Sequence, residues 1–324
     1  MRGLIAAVFI VLAMFPAARA YSQWQPSRNV ELIVPAAAGS GLDAVARLLQ
    51  RVIQEKRLAD ASITVVNKTG GGNAVGFTYL VGHPGDAHYI AITPFTIITN
   101  RIMGTNPISY QDVTPIALLA EEYVGFIVSP GSPIKTGRDL VERLKKDPQS
   151  VSMALAAALG NANHIAVSLV GKAVGADPKR FRIAVFNSSG ESITAVLGGH
   201  VELGITTIGL LGPHVQAGRL RAIAIAANQR LTGALAQVPT WTEQGVDVTF
   251  SSWRALIGPR GMTPQQVRYW EALIAKVVAQ EEWTRELDKN GLNAAYLGSE
   301  ATRQLFVKQA EQLRAILAEL GLAK

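Results

Sequence analysis

The chain has 324 residues, more than a single hydrophobic core usually holds, and 48% hydrophobic against 17% charged residues supplies enough apolar material for two. It has no cysteine, which excludes disulfide staples and zinc-thiolate sites. The formal charge of +7 comes from scattered basic residues, with Lys145-Lys146 the only adjacent lysines and no interleaving of basic and aromatic residues, so nucleic acid is not expected as a partner.

The first twenty residues read as a secretory leader: Arg2 gives a positive start, Leu4 to Phe15 an apolar core, and Ala18-Arg19-Ala20 a small-x-small cleavage site. The apolar part is shorter than the ~20 residues a membrane helix needs, so cleavage after Ala20 and release into the periplasm are expected rather than anchoring. Further along, Asn161, Asn163, His164 and Lys172 interrupt the most alanine-rich region, and no membrane-spanning segment is predicted. Removing Arg2 and Arg19 from the 31 basic residues leaves 29 against 24 acidic ones, a balance of +5 that suits an anionic ligand and equally an ordinary surface.

Val30 to Val34 reads as a strand that turns through Pro35-Ala36-Ala37-Ala38-Gly39-Ser40-Gly41 into a helix over Leu42 to Glu55, with Asp43 in its first turn. Such a turn aims unpaired N–H groups and a positive dipole end at one point, either as an anion cradle or as a tight corner with no ligand. It carries neither G-x-G-x-x-G nor G-x-x-x-x-G-K-[ST], so it is not a phosphate loop. A second strand, Ser62 to Asn67, leads into Lys68-Thr69-Gly70-Gly71-Gly72-Asn73-Ala74-Val75-Gly76, whose glycines permit close backbone approach. A third, Tyr89 to Thr93, ends on Pro94-Phe95-Thr96.

Gly125 to Ser129 reads as a strand closed by Pro130-Gly131-Ser132-Pro133 and followed by a helix over Thr136 to Lys146. Val151 to Ala156 runs into Leu159-Gly160-Asn161-Ala162-Asn163-His164 and a helix over Ile165 to Ala173. Arg182 to Phe186 runs into Asn187-Ser188-Ser189-Gly190-Glu191 and a helix over Glu191 to Gly198. Leu203 to Thr206, with Thr207 after it, precedes a short helix over Gly212 to Ala217 and a strand over Arg221 to Ala226. Gly258 to Pro264 closes a further strand, with Thr263 as N-cap and Pro264 at the first helical position. From Pro264 to Ala318 the pattern is nearly all helical. Alternating strands and helices of this kind make an α/β fold with largely parallel sheets, in which ligands bind beyond the carboxyl ends of the strands.

Catalytic signatures are missing: there is no G-x-S-x-G elbow, no H-E-x-x-H and no thiol. His83 and His88 flank Pro84-Gly85-Asp86 in what reads as a solvated turn, and His200 falls in another. His214 is placed to cap or pack. No pair has metal-ligand spacing, so neither a metal nor a cofactor is expected. His164 can contact a ligand or brace its own loop. Trp270 and Trp283, at helical spacing, read as core.

The ordered series of these segments resembles one family, the substrate-binding proteins of tripartite tricarboxylate transporters, over essentially the whole mature chain. Val34-Pro35 through Asp43 is similar to its V-P-x-x-x-G-G-x-x-D opening, Asn67 through Gly76 to its N-x-x-G-G-G-x-x-G loop, and Gly198-Gly199-His200-Val201-Glu202 to its G-G-H-V-[DE] turn. Gly218-Arg219-Leu220-Arg221-Ala222, Val238-Pro239-Thr240-Trp241-Thr242-Glu243-Gln244-Gly245 and Trp253 through Pro259 follow in the family's order. Phe186 through Glu191 looks more like the tricarboxylate branch. Ala36, Ser40, Leu42 and Asn161 depart from the family pattern, at positions on the pocket wall.

The resemblance implies a two-lobed periplasmic binding protein fold of type II character, with mixed and parallel sheets and a hinge. Residues 21–123 plus 249–324 are expected to form one lobe and 124–248 the other. It further implies a monomer that closes over a small organic carboxylate, a di- or tricarboxylate or an aromatic acid, and hands it to a membrane transporter. The rival readings are a secreted α/β enzyme acting on a carboxylate and a ligand-sensing partner of a membrane protein. The expected ligand contacts are Ala36, Ala38, Gly39, Ser40, Gly41 and Asp43; Asn73 and Ala74; Thr93, Pro94, Phe95 and Thr96; Gly160, Asn161, Ala162, Asn163 and His164; Asn187, Ser188, Ser189, Gly190 and Glu191; and Thr206 and Thr207. Asp43 carries a charge that opposes an anion, so it is expected to cap or orient its loop, or to reach ligand through water or a donor group.

Overall fold

A computed structural model describes residues 24–156, 159–186 and 188–324. The leader predicted for residues 1–20 and the contact predicted for Asn187 lie outside the described residues. Ten strands form one mixed sheet system ordered β2-β1-β3-β9-β4-β7-β5-β6, with β10 and β8 also paired to β4. Its first part joins β1 (Val30–Val34), β2 (Ile63–Asn67) and β3 (Tyr89–Pro94) in parallel to the antiparallel β9 (Ser251–Pro259), β4 (Val113–Val128) and β10 (Asn293–Leu297). Its second part joins β5 (Ser152–Ala156), β6 (Arg182–Phe186) and β7 (Leu203–Thr207) in parallel, with β4 and β8 (Arg221–Ile225) antiparallel. The fold is the two-lobed α/β architecture expected.

One strand serves both lobes. Residues 113–123 of β4 pair with β9, and residues 124–128 pair with β7 and β8. The sequence suggested only a short strand over Gly125 to Ser129, and Pro115 lacks an N–H for a ladder. The register shifts between Pro115 and Ala117 and again between Leu118 and Ala120, and these irregularities accommodate the proline inside a 16-residue strand.

Helices cover the sheets as the sequence pattern requires. In α1 (Gly41–Glu55), Ser40 caps the start and Val45, Leu48, Leu49, Val52 and Ile53 form the buried face. Two helices were not anticipated, α2 (Ala74–Val81) and α3 (Thr96–Ile102). Their starts are glycine-rich or β-branched, and tertiary packing outweighs that weak propensity. In the second lobe α4 (Gly137–Lys146), α5 (Ala162–Ala173), α6 (Ser189–Leu197) and the short α7 (Leu211–Gln216) follow the strands.

The expected all-helical tail is corrected. It divides into α8 (Pro264–Val278), α9 (Glu281–Lys289), β10 and α10 (Ser299–Glu319). Gly291, with φ +67°, ends the run after α9, and Asn293 to Leu297 alternate in exposure as a strand pairing with β4. The predicted cap does form: Thr263 accepts from the Gln266 N–H while Gln266 accepts from the Thr263 N–H, with Pro264 at the first position. Trp253, Trp270 and Trp283 are all fully buried, and Trp253 stacks on Phe306 of α10 at 4.7 Å.

Gly291 also sets how closely the lobes approach. A Cβ added there would fall 2.0 Å from the Gly209 Cα in the second lobe, an overlap with backbone that cannot rotate away. Gly218 has a similar φ of +65° but open space around it. Gly218→Ala should therefore lose about 1 kcal/mol from the left-handed backbone alone, and Gly291→Ala clearly more. Urea unfolding of both variants checks this, and equal losses would mean that the Gly209 contact contributes nothing.

Candidate functional site

Strand register determines which loops face each other. In the first lobe Pro94, at the end of β3, pairs with Arg254 near the start of β9, and Tyr123 of β4 pairs with Ser251. The carboxyl ends of β1, β2 and β3 therefore lie at the end where β4 leaves that lobe. In the second lobe Thr207, at the end of β7, pairs with Val124, and β5 and β6 run parallel to β7. The carboxyl ends of β5, β6 and β7 thus lie where β4 enters. All the described candidate residues sit on these two facing ends.

In the first lobe they are tied into one web. The Asp43 carboxylate accepts from the Gly39 N–H (2.8 Å) and Arg47 Nε (2.8 Å) through Oδ2, and from Asn67 Nδ2 (3.0 Å) through Oδ1. Asp43 is buried; burial opposes its charge, but these donors outweigh it and hold its carboxyl below the usual carboxylate range. It points inward and shapes its loop. Asn67 also donates to Ala36 O, Asn73 to Pro35 O (2.6 Å), and Thr96 Oγ1 to Asn73 Oδ1 (3.1 Å). The Ser40 hydroxyl oxygen accepts from the Asp43 N–H. Thr93 and Phe95 are buried under the web, Pro94 and Ala74 are half-buried, and Ala38, Gly39 and Gly41 are exposed.

The second lobe is arranged in the same way. Asn161 accepts from the His164 N–H (3.0 Å) and donates to Ala156 O, and the Gly160 N–H donates to His164 Nδ1 (2.9 Å). His164 is buried together with Ala162 and Asn163, so it braces the loop. Ser188 caps α6 by accepting from the Glu191 N–H; Ser188, Gly190 and Glu191 are exposed and Ser189 is half-buried. Thr206 is buried at the end of β7 and Thr207 half-buried.

The two lobes touch at two places. On one side Gly209 lies against Asn290 and Gly291, and Asn290 also lines a cavity of about 150 Å³ with Gly41, Ala44, Glu122, Arg254 and Leu287. There Arg254 pairs with Glu122 at 2.9 Å. On the other side a Cβ at Gly160 would lie 2.7 Å from Met103 Sδ, and Leu322 is close behind. Sequence reasoning missed Asn290, Arg254 and Glu122, which come from distant segments, as well as the half-exposed Val75, Leu159 and Leu210 on the facing loops. A large apolar residue beside a glycine turn was the available signal for those three.

His83 and His88 are more engaged than a solvated turn implies, whereas His200 is exposed as expected. His83 stacks on Tyr89 at 3.6 Å and His88 Nδ1 meets Asp86 Oδ1 at 2.7 Å, because the turn between them packs onto the first lobe. Among the described residues no cluster of three or more His, Cys, Asp or Glu is placed to hold a metal ion, and no helix is long and apolar enough to cross a membrane.

Comparison with known proteins follows the same lines. Residues 45–322 match the family described as tripartite tricarboxylate transporter family receptor. The chain is 24% identical to Protein BugT of Bordetella pertussis over 91% of this chain and 90% of that one. Its fold is similar to that of a TctC solute binding protein from Polaromonas, with TM-score 0.83 and 25% identity, covering 91% of this chain and 99% of that one. It is also similar to an R. palustris protein solved with adipate, with TM-score 0.70 and 23% identity over 92% and 99% of the two chains.

Burial pushes the His164 imidazole down from its ordinary 6.5 to about 4. Between those values the unfolded chain takes up a proton that the folded protein refuses. The stabilisation from the neutral ring is therefore complete above pH 6.5 and lost as pH falls toward 4, about 3 kcal/mol in all. His164→Asn keeps an acceptor for the Gly160 N–H but does not titrate. Denaturant melts between pH 7.5 and 4.5 should show a flatter profile for the variant, and superimposable profiles would sink the assignment.

Proposed function

Because the chain belongs to the tripartite tricarboxylate transporter receptor family, we propose that it is an exported solute-binding protein that captures a small organic carboxylate in the periplasm and presents it to a membrane transporter. The observation that carries this reading is the register of β4, which sets the loops after β1–β3 opposite those after β5–β7. Helices α1, α5 and α6 start in those loops, and each start offers N–H groups and a positive dipole end to an anion. A carboxylate that accepts several fixed N–H bonds needs no formal counter-charge.

In this reading the lobes are residues 21–123 with 249–324, and 124–248. The hinge lies where β4 passes from one set of partners to the other and where the chain returns before β9. Ligand bonds both sets of loops, and all of its bonds form together only when the cleft shuts, so it stabilises the closed form. The protein works as a monomer, without cofactor, and releases its ligand unchanged.

Ser189 is the cleaner probe of the fourth loop, since Ser188→Ala also removes the cap of α6 and about 1 kcal/mol of stability. A hydrogen bond to a charged ligand is worth roughly 1.5–3 kcal/mol, so Ser189→Ala should lower affinity about ten- to a hundred-fold. Calorimetry with an organic acid identified by thermal-shift screening measures it; unchanged affinity takes this loop out of the site. Small-angle scattering should show compaction with ligand, and recovery of an acid chemically altered would replace binding by catalysis.

The leader should be removed after Ala20. N-terminal sequencing of the exported protein is expected to begin at Tyr21, and a form that keeps residues 1–20 in the membrane fraction would contradict it.

A further inference from the structure

Resting on the reading above that the loop over residues 159–164 borders the ligand cleft, we infer that Met103 is a positioning residue for that loop: from the first lobe it buttresses Gly160 in the second and so sets where the start of α5 stands. Gly160 has φ +83°, and a Cβ built on it would fall 2.7 Å from Met103 Sδ and 3.7 Å from Leu322 Cδ1, so both side chains of the opposite lobe pack on the glycine. Its N–H donates to His164 Nδ1 at 2.9 Å, and the next residue, Asn161, accepts from the His164 N–H and caps α5. A shift of Gly160 moves the ring and the cap with it, because both bonds close within residues 160–164.

Met103 is itself held from two directions. It closes α3, whose first residue, Thr96, donates to Asn73 Oδ1, while Asn73 donates to Pro35 O. At ~1.5 Å per residue the helix spans about 10 Å, which makes it a strut from the web of the first lobe to the loop of the second. At its far end the Lys324 N–H donates to Ile102 O (2.9 Å), and the Lys324 side chain lies against Gly104, whose φ of +69° turns the chain away after Met103. Below, Ile98 and Ile102 of α3, Ile165 and Val170 of α5, and Leu313 and Leu317 of α10 belong to one buried apolar cluster, with α10 packed on both α3 and α5. Lys172, at the other end of α5, pairs with Glu319 of α10.

The contact depends on size rather than on chemistry. Methionine is unbranched and fills an irregular gap, alanine leaves a void between Gly160 and α3, and leucine restores nearly the same volume. A side chain that serves packing alone would, when truncated, loosen the whole protein. A buttress loosens one loop, and local opening is measurable apart from global unfolding.

The test uses the isotope-labelled exported protein with Met103→Ala, Met103→Leu and, as control, Met262→Ala, a half-buried methionine of the first lobe that packs on Gly258. By NMR, Met103→Ala should speed hydrogen exchange of the Gly160 and His164 amides at least about tenfold relative to those of β5. It should also raise the His164 ring from about 4 toward its ordinary 6.5 as water reaches it. Met103→Leu should behave as the natural protein does, and Met262→Ala should change neither reading. Unaltered exchange and titration in Met103→Ala overturn the inference, and so does an equal change in Met262→Ala. Neither measurement needs a solute. Calorimetry with adipate then separates this inference from the reading on which it rests: affinity lowered about tenfold in Met103→Ala joins the buttress to the site, whereas a loosened loop with adipate affinity unchanged contradicts the carboxylate reading of this loop and not the buttress.

Discussion

A single long strand holds this architecture together. β4 gives residues 113–123 to one lobe and 124–128 to the other, so the antiparallel pairing of its two halves dictates the direction of every neighbouring strand. Since β1–β3 run toward the point where β4 leaves and β5–β7 toward the point where it enters, all six loops after these strands lie at the junction of the two lobes. A register slip in either half would turn buried side chains outward along that strand. Position of the cleft and integrity of the core thus depend on the same hydrogen bonds.

The loops themselves are built by internal economy. Asp43, Asn67 and Asn73 in one lobe, and Asn161 with His164 in the other, use their side chains to hold backbone in place. The consequence is that the backbone at these helix starts is held in place by side chains of its own loop. Fixed donors of this kind recognise an anion without reorganising.

The two lobes also touch away from the strand they share. The Gly209 and Gly291 backbones approach too closely for a Cβ, and Gly160 lies similarly close to Met103. On that second side α10 packs against α5, and Lys172 pairs with Glu319.

Local chemistry was legible in the amino-acid sequence. The strands over 30–34 and 182–186, the Ser40 and Thr263 helix starts, the buried tryptophans and the loops after the parallel strands follow from periodicity, capping and turn residues, all of which act over a few positions. Periodicity did not reveal α2, α3, β10 or the full length of β4, because packing partners far away in the chain override weak local propensity. The inward turn of Asp43, the neutral brace of His164 and the meeting of Gly209 with Gly291 were decided by tertiary structure alone. Each depends on which groups are brought within hydrogen-bonding or van der Waals distance once water is excluded, and no spacing along one segment encodes that distance.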